Sequence, residues 1–229
     1  MGHTALAMSS IMVCSALASA GPVVFDFENQ ASTDPGAGGE QAEALTTLAL
    51  QQGGLGLTIS RQGESPFDIV DRANIGNGSF LPLEYGQRSL SGFADIQSSS
   101  SFLFVFDQVV SSFSVSFGNN GDTEQDPPVI LQAFSDASFS SSQLVAQSEG
   151  VLPTKNEAVT DITEMTLTVT GEFQAVLFFG ITLSSTCPSD CPPNYNNFYF
   201  DNIVVSAVPA PGMIGCLVIA GGLVSHRRR

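Results

Sequence analysis

The residues best suited to chemistry in this sequence are carboxylates. All 22 acidic residues lie between positions 21 and 207, a stretch with only four cations and therefore a net charge of −18. Both histidines, His3 and His226, lie outside it. Ser–His and Cys–His mechanisms need an imidazole, and no catalytic motif accompanies the acids, so we expect no enzymatic activity. A surface this acidic repels phosphate backbones, which excludes nucleic acid as a partner.

One short acidic loop is a candidate calcium site. Asp122, Glu124 and Asp126 follow Gly121 at alternate positions, so their side chains could converge on one ion. Calcium prefers oxygen ligands of this kind. A solvated acidic loop without an ion is the alternative reading.

Two cysteines and two tyrosines near the end of the acidic stretch are further candidates. Cys187 and Cys191 stand four residues apart in CPSDCPP, which predicts a disulfide formed in an oxidising compartment. A metal site is the alternative, although two thiolates alone are a poor zinc set. Tyr195 and Tyr199 could form a small platform, because sugars stack on exposed aromatic faces. Ordinary packing of these rings is the competing interpretation.

The elements that must position these residues are β-strands. In FSVSF, Phe113, Val115 and Phe117 alternate with serines, and LGLTIS (55–60) alternates in the same way. FLFVFD (102–107) is almost continuously apolar, which is typical of a central strand. The other predicted strands are VVFDFE (23–28), VILQAF (129–134), MTLTVT (165–170), AVLFFGITL (175–183) and NFYFDNIVVS (197–206), with weaker ones near 45–50, 67–70 and 143–146. The pattern predicts an all-β domain over residues 21–207, a single antiparallel β-sandwich of jelly-roll-like form.

Residues 1–20 have the features of a signal peptide. An apolar stretch ends in Ala18-Ser19-Ala20, and small residues at these positions predict cleavage between Ala20 and Gly21. The sequence therefore indicates export across the inner membrane. A buried N-terminal helix is the alternative.

The last residues, 208–229, read VPAPGMIGCLVIAGGLVSHRRR. The apolar run Met213–Val224 would form a short C-terminal helix of ~18 Å, against a hydrocarbon core of ~30 Å. Such a segment can arrest translocation transiently at the inner membrane but makes a marginal transmembrane helix. The terminal arginines would hold its end on the cytoplasmic side.

This tail resembles the PEP-CTERM sorting signal of Gram-negative bacteria, which joins a proline motif, a short apolar helix and an arginine cluster. Ala210 stands where the family's motif has Glu. The resemblance implies that an exosortase-type membrane protease processes the tail and delivers the protein to the cell surface or extracellular matrix. A plain stop-transfer anchor is the alternative. The matching residues are Val208, Pro209, Ala210, Pro211, Gly212, Arg227, Arg228 and Arg229.

Residues 21–207 also look like the domain often found ahead of such tails, notably in FDFEN (25–29), YGQRSLSGF (85–93) and FYFDNIVVS (198–206). Jelly-roll carbohydrate-binding modules often hold structural calcium between a Glu of the first strand and an Asp of the last. Glu28 and Asp201 look like those two residues, and two exposed strand acids that hold no ion are the alternative. The resemblance of residues 21–207 implies a fold and a location, and because no catalytic motif is present we expect a non-catalytic structural or adhesive domain. A carbohydrate-binding module acting in the exopolysaccharide matrix is the alternative.

Overall fold

The chain folds as antiparallel β-structure, as the alternating sequence pattern predicts. The computed structural model describes residues 21–31, 33, 45–64, 66–71, 88–93, 101–119, 128–151, 163–180 and 197–208. Ten strands lie within these ranges: β1 Val23–Phe25, β2 Thr47–Gln52, β3 Leu55–Arg61, β4 Asp68–Asp71, β5 Arg88–Phe93, β6 Phe102–Asn119, β7 Pro128–Phe134, β8 Leu144–Val151, β9 Thr163–Gly180 and β10 Asn197–Ala207. Gln62–Glu64 and Ser141–Gln143 form short 3-10 helices.

The strands form two packed layers. Two 18-residue strands, β6 and β9, each contribute to both layers. They pair with each other, and the register shifts between Val105 and Val110 and again before Ser112. Such irregularities bend a strand and increase its twist. The first half of β6 and the second half of β9 therefore belong to one layer, and their other halves belong to the second layer.

The layers differ in the strands that flank this central pair. In the first, β3 pairs with β6 and carries β2, while β7 pairs with β9 and carries β8. In the second, β10 pairs with the later half of β6. The other edge of β10 is shared, because β5 pairs with Asn197–Phe200 and β1 with Ile203–Val205. β4 then pairs with β5.

Phenylalanine fills the space between the layers. Rings from opposite layers meet, with centroids 4.6 Å apart for Phe102 and Phe200 and 4.9 Å apart for Phe117 and Phe178. Tilted and edge-on ring pairs of this kind are worth about 0.5–1.5 kcal/mol beyond the area that they bury. In the part of the chain that the structure describes, the ten largest fully buried side chains are all phenylalanines: Phe27, Phe67, Phe102, Phe104, Phe106, Phe113, Phe117, Phe173, Phe178 and Phe200.

Strand alternation is confirmed where it is cleanest. Phe113, Val115 and Phe117 are fully buried, and so are Leu55 and Ile59. The predicted strands 102–107 and 113–117 are parts of one strand, as are 165–170 and 175–183 up to Gly180. The sequence pattern did not predict β5, and β1 ends at Phe25 rather than at residue 28.

Gly21–Val208 clusters as one compact unit. The predicted signal peptide and the short C-terminal apolar helix lie outside the described residues. No helix within the described ranges has the length and apolar character needed to span a membrane.

Candidate functional site

The junction between β1 and β5, along the edge of β10, gathers several polar side chains. The register of β10 shifts between Asp201 and Val204, and Asn202 has a positive φ of 48°. This bulge lies between the segment of β10 that pairs with β5 and the segment that pairs with β1. Bulges often re-aim a side chain, and here Asp201 is buried, with 2% of its surface exposed. Its Oδ1 accepts the Asn202 N–H at 2.7 Å.

Glu28 lies beside the same junction, in the turn that follows β1. Its Oε1 accepts the backbone N–H of Arg88, the first residue of β5, at 3.1 Å. The Arg88 guanidinium donates to the carbonyl oxygen of Gln30 in that turn. We expected β1 to carry Glu28 and β10 to carry Asp201. These two strands are neighbours, because they pair with each other. Glu28 itself stands beyond the end of β1, since the chain turns at Phe27–Gln30.

Ser89 supplies an unsatisfied polar atom at this junction. Leu90 pairs with Phe200, so Ser89 and Asp201 are the next residues along the two strands. Ser89 is fully buried, and its Oγ makes no hydrogen bond within the described structure. A buried polar atom without a partner costs about 1–3 kcal/mol. Carboxylate and hydroxyl oxygens are the ligand types that a hard cation such as calcium prefers. Within the described ranges, no three His, Cys, Asp or Glu residues are grouped to hold a metal.

The predicted aromatic platform is not available at Tyr199. Its side chain is only 4% exposed, in a strand flanked by β5 and β6. Stacking on a sugar needs an open ring face, so a ligand-binding role for this ring is not supported. Tyr195, the other half of the platform, lies outside the described residues.

Most of the other predicted site residues also lie outside the described ranges. Val208 is the first residue of the sorting motif, and the described chain ends there. Its N–H donates to the Val109 carbonyl oxygen at 3.4 Å. Gly21 begins the described chain. The structure gives no account of the following residues: Ala18, Ala20, Asp122, Glu124, Asp126, Cys187, Cys191, Pro209, Ala210, Pro211, Gly212, Arg227, Arg228 and Arg229.

A polar cleft that sequence reasoning missed lies between the β1 turn and strand β2. Its volume is about 200 Å³. The described residues that line it are Val24, Phe25, Asp26, Asn29, Gln30, Ala49, Leu50, Gln51 and Gln52. Amides in a turn and at the end of a strand have no distinctive spacing, so only the tertiary fold shows that they share one cleft.

No protein-family profile and no curated protein matches this chain. Among solved structures, it is similar to the K2 cleaved adhesin domain of Lys-gingipain, with a TM-score of 0.41 and 12% identity over 81% of this chain and 99% of that one. It is also similar to the K3 cleaved adhesin domain of Lys-gingipain from Porphyromonas gingivalis, with a TM-score of 0.34 and 14% identity over 62% and 91%.

A third similar structure is the CBM22-2 xylan-binding domain of Xyn10C from Paenibacillus barcinonensis. Its TM-score is 0.36, with 15% identity over 66% of this chain and 91% of that one. These TM-scores are below 0.5, so the likenesses support no inference about function.

Proposed function

We propose that this protein is exported and serves a non-catalytic, structural or adhesive role at the cell surface or in the extracellular matrix. In this proposal the β-sandwich is jelly-roll-like and works through its surface, because phenylalanine rings fill the described interior. The lack of histidine between residues 21 and 207 supports a role without nucleophilic catalysis.

The pairing of β1 with β10 is the observation that carries this proposal. Val23 lies opposite Val205 in an antiparallel pair, so the first and last described segments leave the sheet at the same end. A domain tethered through one end would leave its opposite end, and the loops there, free to meet a partner. This arrangement suits a domain that is displayed by a tail following Val208.

Processing of that tail is the second part of the proposal. Pro209 and Pro211 would keep residues 208–212 extended, which is the form that a protease binds. An exosortase-type protease would cut near Val208–Gly212 and release the apolar run with Arg227–Arg229. The transient hold at the inner membrane would end with this cut.

The test is mass spectrometry of the protein recovered from cells that carry an exosortase. We expect mature molecules to end within residues 208–212, and a Pro209→Ala, Pro211→Ala double variant to accumulate as uncleaved precursor in the inner membrane. A Pro192→Ala, Pro193→Ala variant, which alters a proline pair outside the motif, is the control and should be processed normally. If most mature molecules keep their arginines, the tail is a simple anchor.

The polar cleft beside β2 favours a second candidate function, carbohydrate binding in the exopolysaccharide matrix. Purified protein should then be retained by matrix polysaccharide without degrading it. Release of reducing ends from that polysaccharide, lost on substitution of a single carboxylate, would contradict the non-catalytic assignment.

A further inference from the structure

The polar cleft is bordered by two strand edges that have no strand partner in the described part of the chain. Within the described residues, β1 pairs only with β10, and β2 pairs only with β3. The β2–β3 turn follows Gln52, the last β2 residue that lines the cleft. A Cβ at Gly53, which has a positive φ of 57°, would lie 3.0 Å from Cγ2 of Val23. The turn therefore packs closely on β1 and fixes the distance between the two walls.

The polar groups of the cleft are available to a ligand. Asp26, Asn29, Gln51 and Gln52 are exposed, and Gln30 is half-buried. None of these five side chains makes a hydrogen bond or an ion pair within the described structure. Four are carboxamides, each with two N–H donors and one acceptor oxygen, and the fifth is a carboxylate that only accepts.

The position of Gln51 depends on the glycine opposite it. Gln51 pairs with Gly56 across the β2–β3 hairpin, and the Gly56 N–H donates to Oδ1 of Asp107 at 2.9 Å. A Cβ at position 56 would meet both the Gln51 amide nitrogen and Oδ2 of Asp107, the latter at 2.6 Å. The missing side chain thus leaves room for the Gln51 amide to lie over the hairpin, on the side of β3 and Asp107.

The chemistry of the lining selects a neutral, hydroxyl-rich ligand. Carboxamides and a carboxylate can together accept from and donate to neighbouring sugar hydroxyls. Among the described residues, the lining contains no Lys or Arg, and the net charge of −18 between residues 21 and 207 repels uronic acids and phosphates. Phe25 is 2% exposed and cannot stack on a ring, whereas Val24 is 42% exposed and offers a small apolar contact.

The dimensions of the cleft favour a sugar over a peptide strand. Added-strand recognition of a peptide uses a run of main-chain hydrogen bonds along a sheet edge. Of the two free edges, β1 has only three residues, which is too short for such a run, so a peptide could pair along the six residues of β2 alone. A volume of about 200 Å³ is suited to one sugar ring.

We propose that this cleft binds a terminal neutral sugar of a surface or matrix polysaccharide, through hydrogen bonds from Asn29 and Gln52. This inference rests on the proposed surface function and gives it a ligand class and a location. It also replaces the aromatic platform near Tyr199 with a site that works by hydrogen bonding.

The test is saturation-transfer NMR and calorimetry on the full chain in mild detergent, with the methyl glycosides of glucose, galactose and mannose as probes. We expect one of them to bind with millimolar affinity. Asn29→Ala and Gln52→Ala should each weaken binding about tenfold, which corresponds to one hydrogen bond of about 1.4 kcal/mol. Gln62→Ala is the matched control, because this exposed glutamine lies past the opposite end of β3 and should leave affinity unchanged.

Three outcomes would overturn the inference: no binding of any neutral glycoside, equal binding by wild type and both cleft variants, or preferential binding of a peptide or of methyl glucuronide. Each leaves the proposed surface function standing, because tail processing is measured separately. Unchanged melting temperatures of the variants would show that loss of affinity is not loss of fold.

Discussion

At the scale of single residues, Arg61 is a cation held in an apolar environment. It is 6% exposed, its guanidinium carbon lies 5.4 Å from the Phe102 ring centroid, and its Nη1 donates to the Pro66 carbonyl oxygen. Burial lowers the pKa of Arg61 to about 10. Between that value and the ordinary arginine pKa, Arg61 therefore holds its proton more firmly in the unfolded chain, and its contribution to the free energy of unfolding rises with pH only in that alkaline window.

Replacement of Arg61 by Ala should destabilise the domain by about 2 kcal/mol, because the cation–π contact and the hydrogen bond to Pro66 are both lost. The difference from wild type should be constant between pH 6 and pH 9, since Arg61 is charged in both states there. Urea unfolding at several pH values measures it, and the exposed neighbour variant Gln62→Ala should change stability by less than about 0.5 kcal/mol. A loss that varies strongly over this pH range would contradict the assignment.

At the scale of elements, the bulge in β10 depends on the conformation of Asn202. Its φ of 48° is in the left-handed region, which Asn tolerates better than most residues and β-branched residues avoid. The bulge separates the β5-paired segment of β10 from the β1-paired segment, and so it sets the position of Asp201.

Asn202→Gly should therefore stay within about 0.5 kcal/mol of wild type, whereas Asn202→Val should lose about 1–2 kcal/mol. Ser206→Val, on the same strand, is the control for a β-branched residue at a half-buried position. Thermal or urea unfolding provides the comparison. Equal losses for the Gly and Val variants would mean that the Asn side chain, rather than the backbone, matters here.

The elements also show where prediction from sequence succeeds and where it ends. Alternation identified the buried faces of β3 and β6, because period-two patterns report which side of a strand meets the core. It missed β5, since RSLSGF combines Ser and Gly with little β-branched or aromatic character. It also divided β6 at the register shift near Val110, where the polar residues of a bend resemble a loop.

The candidate site was less predictable than the fold. Alternation places Tyr199 and Asp201 on the face opposite Phe200, but it cannot tell whether other parts of the chain cover that face. Both residues are buried. The polar cleft could not be predicted either, because Asn29 and Gln52 come together only through the packing of β1 against the β2–β3 turn.

At the scale of the whole molecule, charge is the dominant feature. Residues 21–207 carry 22 acids against four cations, so self-repulsion opposes the compact state and any cation reduces it. A specific calcium ion at the β1–β5 junction would act in addition to this general effect. We propose Glu28, Asp201 and the Ser89 hydroxyl as its protein ligands, because Ser89 Oγ is buried without a hydrogen bond in the described structure.

Calcium should then raise the melting temperature of the protein by mass action, since the ion binds the folded state and not the unfolded one. At 100 times the dissociation constant the gain is about 2.7 kcal/mol. Magnesium at equal concentration controls for screening of the −18 charge, and it should shift the melting temperature less because it keeps its own water shell.

Asp201→Asn and Glu28→Gln should each abolish the difference between the two ions. Glu28→Gln keeps an acceptor for the Arg88 N–H, so the turn after β1 should survive that change. Equal shifts with calcium and magnesium in the wild-type protein would show that only the general charge effect operates, and the junction would then be a buried hydrogen-bonding site without a metal.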